Sequence, residues 1–273
     1  MVSPRTSWVP DTVDTTKPSA ARAYDAFLGG SHNFACDREF AADAEKVFPG
    51  VALACRANRE FLRRAVLFGL RSGIRQFIDI GSGIPTVGNA HEVAHEWDPT
   101  CSVVYADNEA VAVAHSEMLL KDDEHAAVIR RDLREPQSLL DDRTTRELID
   151  FDQPVMLLML ALLHFVPDDD DPAGLVRQYA GALVPGSQLA ITHATAAARP
   201  DEMRSLEALY ATSSNPATAR TPEWITGLFG EYELVEPGAV YASEWRPDDN
   251  TIDRENYLFF GGVGIKPDAR TSD

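Results

Sequence analysis

Five short apolar runs interrupt a chain that is otherwise polar or amphipathic: Gln76 to Ile80, Ser102 to Ala106, Ala126 to Ile129, Val155 to Leu160 and Gln188 to Thr192. The fourth is apolar at every position, the pattern of a strand covered on both faces. Segments with helical spacing separate the runs, at about Val87–Trp97, Ala110–Lys121, Pro136–Leu140 and Ala173–Leu183. Strands alternating with helices predict an α/β fold with a parallel, doubly wound sheet. After the fifth run comes a polar, helical stretch from Ala196 to Phe229, broken by Pro200, Pro216 and Pro222. Tyr232–Val235 and Tyr257–Val263 then predict two more strands.

Ahead of the first run, Val51 to Ser72 predicts a long helix. Phe61, Ala65 and Phe68 recur at three- and four-residue steps beside Leu62, Val66 and Gly69, and Gly73 ends it. Arg56, Arg59, Arg63, Arg64, Arg71 and Arg75 take the other side and read as a solvated face, the alternative being a site for an anionic substrate or partner. Pro18 to about Gly50 predicts shorter helical pieces with a break at Gly29-Gly30. The expected organisation is a flexible tail over 1–17, a helical cap over 18–75 and one binding domain over 76–267, with 196–229 as a helical insertion.

Composition narrows the function classes. There are 43 acidic and 25 basic residues, a formal charge of -18. So negative a surface repels phosphate backbones, so nucleic acid is not an expected partner. Cys36, Cys55 and Cys101 form no C-x-x-C pair, and an odd count gives no disulfide framework; they read as small core residues in a reducing compartment. Met1 to Lys17 has no apolar signal core. The longest apolar run, Val155 to Leu163, falls far short of the roughly 20 residues that span a bilayer. A cytoplasmic chain with no membrane anchor is expected.

The candidate chemistry sits at the ends of the runs. The first enters Gly81-Ser82-Gly83-Ile84-Pro85-Thr86, where two glycines let the backbone turn sharply and approach a ligand. Thr86 replaces the third glycine of a dinucleotide motif and Pro85 removes a donor, so the loop fits a ligand without phosphates better than a pyrophosphate. The second run ends at Asp107-Asn108, placed for a carboxylate to accept ribose hydroxyls. The third ends near Asp132-Leu133, where a carboxylate would accept from an adenine amine. Ligands on open α/β sheets bind at this edge. The fourth leads to Leu160 and, just past its end, His164. His91-Glu92-Val93-Ala94-His95 has the zinc-protease spacing. It lacks a third ligand at a matching distance and is needed as the first crossover helix, so no metal is expected.

These residues resemble a bacterial S-adenosylmethionine-dependent methyltransferase family long catalogued as a domain of unknown function. The likeness is carried by Arg22-Ala-Tyr24-Asp25-Ala-Phe-Leu-Gly29-Gly30-Ser-His-Asn33-Phe34, by Asp79-Ile-Gly81-Ser-Gly83-Ile-Pro85-Thr86 and by Tyr105-Ala-Asp107-Asn108. Asp132-Leu133-Arg134, Leu163-His164-Phe165-Val166-Pro167-Asp168 and Trp245-Arg246-Pro247 extend it. The resemblance implies a Rossmann-like class I sheet of order 3-2-1-4-5-7-6 with strand 7 antiparallel, and S-adenosyl-L-methionine as cofactor. It implies that Asp79, Gly81, Ser82 and Gly83 hold the methionine moiety and that Asp107 and Asn108 hold the ribose. Asp132 and Leu133 would border the adenine, with Leu160 beneath the sulfonium. His164 is then the first candidate for a catalytic base, with His193 and Tyr24 next. Arg22, Tyr24, Gly30 and Asn33 belong to a segment expected to close over the cofactor, Arg22 meeting its carboxylate. The 196–229 stretch would wall an acceptor pocket for a small molecule. Two other classes fit the same residues: an NAD-dependent oxidoreductase, and a protein that binds the nucleoside without catalysis.

Overall fold

Strand β4 (Met156–Leu160) is buried at all five positions, and its side chains alternate between two separate cores. Met156, Leu158 and Leu160 enter one core and Leu157 and Met159 the other, so both faces are covered. The computed structural model describes residues 13–86, 88–248 and 257–268. Around β4 lie β1 (Gln76–Ile80), β2 (Ser102–Asp107), β3 (Ala126–Arg130) and β5 (Gln188–Ala194), all parallel. Three more strands follow, β6 (Glu233–Leu234), β7 (Val240–Tyr241) and β8 (Phe259–Ile265); β8 runs antiparallel to β5, and β6 and β7 each pair antiparallel with β8, so β8 alone opposes the direction of the rest. The order is β3-β2-β1-β4-β5-β8-β6, with β7 also paired to β8. This is the expected 3-2-1-4-5-7-6 arrangement; the two-residue β7, too short to leave a period in the sequence, makes the expected seventh strand the eighth.

One face of the sheet packs against α1 (Ala20–Phe27), α2 (Ala35–Val47) and α3 (Val51–Arg71), whose Phe61, Leu62, Ala65 and Val66 meet Phe77 and Leu158. α4 (Ala90–Trp97) lies beside α3. Between β2 and β3 runs α5 (Ala110–Leu119). The opposite face holds α6 (Pro136–Leu140), α7 (Arg143–Leu148), α8 (Pro172–Gly181) and α10 (Pro222–Gly227); α9 (Pro200–Tyr210) packs on α2.

Several boundaries differ from the expected ones. The first crossover helix begins at Ala90, because Glu92 accepts a hydrogen bond from the Asn89 amide and caps the helix there; Val87 lies outside the described residues. The last strand runs two residues later than its apolar run. The helix α7 and the strand β7 were not anticipated. Of the expected loose tail, residues 1–12 lie outside the described residues. Residues 13–17 are fastened: Val13 is buried, and the carbonyls of Asp14 and Lys17 both accept from Arg22. Among the described residues no helix is long and apolar enough to cross a membrane.

Candidate active site

A cavity of about 390 Å³ opens over the carboxyl ends of β1, β2, β3 and β4, beneath α1 and α3. It begins at the glycine turn. Gly81 and Gly83 both have left-handed backbone, φ +71° and +66°. Leu162, arriving from the β4 loop, occupies the space a Cβ at Gly81 would need, so the two loops interlock. The acidic tip of β2 meets this turn directly: Asp107 accepts from the Gly83 amide at 2.8 Å through one oxygen and from the Glu109 amide at 2.8 Å through the other. Burial lifts the Asp107 carboxyl to about 6, against the pull of those amides. Asp79, Gly81, Ser82, Gly83, Asp107 and Asn108 all line the cavity, and so do Asp132, Leu133 and Leu160.

Beside Asp79 stands one of the arginines whose first reading was a solvated face and whose alternative was an anion site. Arg59 of α3 lines the cavity; its Nε is buried with no partner, as is the Ser82 hydroxyl. Burial raises the Asp79 carboxyl to about 7, with Arg59 pulling it down and Asp107 pushing it up. An unsatisfied guanidinium N–H and a buried carboxylate side by side are the complement of a zwitterionic amino acid. The residues present therefore fit the methionine end of S-adenosylmethionine. The missed signal lay in helical phase: Arg59 stands four residues after Cys55 and three before Leu62, both buried, whereas Arg56 and Arg63 are exposed.

The Asp79 shift has a consequence for the protein alone. With the folded value near 7 and the ordinary value 3.8, the unfolded chain ionises first as pH rises. Folding must then hold a proton that the unfolded state has shed, so this contribution to stability is full below 3.8 and is lost as pH rises through about 7. The melting temperature of Asp79→Asn minus that of the parent, without ligand, is expected to grow between pH 4.5 and 7.5. A constant difference would count against it.

Asp132 is differently committed. Its oxygens accept from the Arg134 amide and Nε, from Arg134 Nη2 at 2.6 Å and from Asn108 Nδ2 at 3.2 Å, and the Arg134 hydrogen bonds hold its carboxyl down at about 2. Arg134 also reaches Asp170. All four acceptor positions of Asp132 are taken, so accepting from an adenine amine requires one of them to be given up.

The proposed closing segment is bolted down, and most of its expected ligand groups are occupied. Arg22 lies outside the cavity wall. Its Nε donates to Asp37 at 2.8 Å, its Nη1 to Glu109 at 3.1 Å and its Nη2 to two backbone carbonyls. It is therefore no free partner for a cofactor carboxylate, whereas the Nε of Arg59 has no partner in the cavity wall. Gly30 is required because a Cβ there would run into the Asp25 carboxylate. That carboxylate accepts from the His32 amide, from Asn33 Nδ2 at 2.7 Å and from the Thr86 hydroxyl. Gly30 and Asn33 thus tie the chain beyond α1 to the glycine loop and do not reach the cavity. Tyr24 does line it, but its hydroxyl donates to the Cys55 carbonyl and accepts from Asn58, and burial pushes its ionisation far up.

His193 and His164, the two histidines named as candidate bases, are both engaged by neighbouring groups. His193 is fully buried between the Ala194 carbonyl and Arg220 Nη1, which can only donate, so its Nε2 is an acceptor already in use. It is excluded as a base. His91 is engaged by the Tyr105 hydroxyl at 2.7 Å and His95 by the Cys101 carbonyl at 2.9 Å, so the zinc-like spacing serves packing. His164 does line the cavity, from a single 3-10 turn over Leu163–Phe165. Arg220 fixes that turn by donating to the carbonyls of Leu163 and Val166. The Ala194 amide donates to His164 Nδ1, and burial, then His193 and Arg220, hold the ring well below its ordinary protonation range. A neutral His164 with Nδ1 accepting carries its proton on Nε2, which makes it a hydrogen-bond donor and a poor base.

A parallel sheet reversed in order at β1, closed by an antiparallel strand beyond β5 and with a cavity at its carboxyl edge, has the class I methyltransferase fold. The chain belongs to the family described as S-adenosyl methyltransferase, whose model matches residues 6–267. It is 36% identical to a DUF574 family protein from Streptomyces avermitilis MA-4680, with a TM-score of 0.89 over 93% of this chain and 99% of that one. It is 38% identical to a methyltransferase candidate from Thermobifida fusca YX, again with a TM-score of 0.89, over 96% and 100% of the two chains. N-methyltransferase NodS from Bradyrhizobium japonicum WM9, solved with S-adenosyl-L-homocysteine, shares the fold alone: 15% identity, TM-score 0.51, 90% and 100% coverage. A comparison with curated proteins gives no match. The protein is thus an S-adenosylmethionine-dependent methyltransferase, and the comparisons lend no support to the nicotinamide and purely binding alternatives.

Proposed function

We propose that the enzyme methylates a small-molecule acceptor seated over the ends of β4, β5 and β8, beside a cofactor laid across β1 to β3. In this reading Arg59 takes the cofactor carboxylate, Asp79 and Ser82 its amino-acid end, Asp107 and Asn108 the ribose, with Asp132 and Leu133 flanking the base. A helical cap over 18–75 covers a binding domain over 76–267. The observation that carries the reading is the joining of Asp107 to the Gly83 amide in the same cavity wall that holds the unpartnered Arg59 Nε and Ser82 hydroxyl. The free thiols Cys36, Cys55 and Cys101 support a reducing, cytoplasmic setting.

When bound, the cofactor supplies an electrophilic methyl group on a sulfonium centre. What the chain's own residues contribute is position and dryness. Leu160 and Leu162 exclude water from the glycine turn, and Phe165 and Tyr210 do so on the acceptor side. His164 donates a hydrogen bond and does not take a proton, because protonating it would charge a fully buried ring. Titration calorimetry tests the assignment. S-adenosylhomocysteine is expected to bind and NAD not to. Asp107→Ala is expected to weaken S-adenosylhomocysteine by more than about 1 kcal/mol, the scale of lost hydrogen bonds to a charged group. Unchanged affinity would remove Asp107 from the ribose site.

A further inference from the structure

We propose that the methyl acceptor is a neutral, flat, largely apolar molecule, an aromatic ring or fused ring system, held against the wall formed by His164, Phe165, Tyr210 and Phe259. The proposal rests on reading the cavity as the methyl-transfer site and names the class of molecule its second half takes.

Charge divides that cavity sharply. Apart from Arg59, every charged residue lining it stands at or just after the carboxyl ends of β1, β2 and β3: Asp79, Asp107, Glu109, Arg131, Asp132 and Arg134. Among the described residues the β4, β5, β8 and α9 side adds none. A charged acceptor lodged there leaves water without meeting a counter-ion, which disfavours it against a neutral molecule of the same shape. The fixed charges on the other side are already matched to a cofactor.

Rings replace charges on this side. His164 and Phe165 have centroids 4.2 Å apart, Phe165 and Tyr210 5.7 Å, His164 and Phe259 6.0 Å. These are the separations at which aromatic faces and edges attract one another, and a planar guest extends such a set. Both ionisable members stay neutral: burial pushes the Tyr210 hydroxyl far up and the His164 ring far down. Met203, Leu206 and Leu258 complete an apolar surround. Aromatic walls also hold cations. Here a cationic guest would share the cavity with Arg59 and with the positive sulfonium of the bound cofactor, and no carboxylate on its own side offsets that repulsion. A cavity of about 390 Å³ that must also contain a nucleoside leaves room only for a compact molecule.

The test uses the full chain saturated with S-adenosylhomocysteine at pH 7.5 and three probes on one ring system: indole (neutral), indole-3-acetate (anionic) and tryptamine (cationic). Calorimetry is expected to show indole binding at least about tenfold more tightly than either charged probe. Phe165→Ala and Tyr210→Ala should each weaken indole about fivefold or more while leaving S-adenosylhomocysteine affinity within about twofold. Retained cofactor affinity reports a folded site, and Phe165→Leu serves if the alanine variant fails to fold. If S-adenosylhomocysteine itself does not bind, the cofactor reading falls first. If it binds and indole does not, or a charged probe binds as tightly, the neutral-aromatic proposal is overturned.

Discussion

Replacing Arg22 with alanine is expected to lower the free energy of unfolding by about 3 to 5 kcal/mol, the range for removing one partner of a buried ion pair. The side chains of Arg22 and Asp37 are 3% and 0% exposed. Burial alone opposes the charge on Arg22, yet the Asp37 bond and the nearby Glu109 raise its basicity overall. Without the guanidinium, Asp37 keeps bonds from the Ser19 and Phe34 amides but no cation. Glu109 and the carbonyls of Asp14 and Lys17 lose a donor as well. Urea unfolding of the parent and variant checks this, and a change below about 1 kcal/mol would mean that water or another cation compensates. The pair of changes Arg22→Met and Asp37→Leu should recover part of the loss, because no buried carboxylate is left at position 37 without its cation, although Glu109 and the Ser19 and Phe34 amides still lack their partners. A smaller loss of cofactor affinity should accompany the single change: Glu109, which Arg22 steadies, also gives its amide to Asp107.

Arg59→Ala is the second large effect, and it falls on binding. Loss of a charge-assisted contact to the cofactor carboxylate is expected to weaken S-adenosylhomocysteine by about 2 to 3 kcal/mol, or roughly 30- to 150-fold. Arg59→Lys should restore only part, since a point charge cannot reproduce the forked donor. The variant should also bind more steeply with pH. Arg59 pulls the Asp79 carboxyl downward, so removing it moves that group above its present value near 7. Ionised Asp79 then prevails only at higher pH, and affinity for a ligand bearing an ammonium group should keep rising above pH 7, where the parent levels off. Calorimetry from pH 6.5 to 9 distinguishes this from a simple loss of contact, which would lower both curves in parallel.

How far the sequence spoke depends on how local each determinant is. The sheet was legible because β4 and its neighbours are covered on both faces, which leaves unbroken apolar runs, and because the glycine turn and Asp107 mark strand ends by residue type alone. The site's other half was not. Arg22 looks in sequence like a ligand-binding arginine; only the fold brings Asp37 and Glu109 to it. His193 and Arg220 are far apart in the chain, and the contact that disqualifies His193 is invisible until they meet. Arg59 was masked by its own neighbourhood of arginines, although its place on the buried stripe between Cys55 and Leu62 was there to be read. Asp132 is the reverse case: its partner Arg134 is two residues away, and a local ion pair was available as the simpler explanation of that carboxylate.

Strand β8 is synthesised after every other strand, yet it occupies an interior place between β5 and β6. Until it leaves the ribosome, the edge of β5 stays open, with a row of amides and carbonyls ready to pair with any passing chain. The same late segment delivers Phe259 and Leu258, so an unfinished polypeptide already able to form the glycine turn and the Asp107 contact still lacks one wall of its reaction chamber. Maturation of the enzyme and protection of its sheet from aggregation thus depend on a single closing event, the docking of that strand.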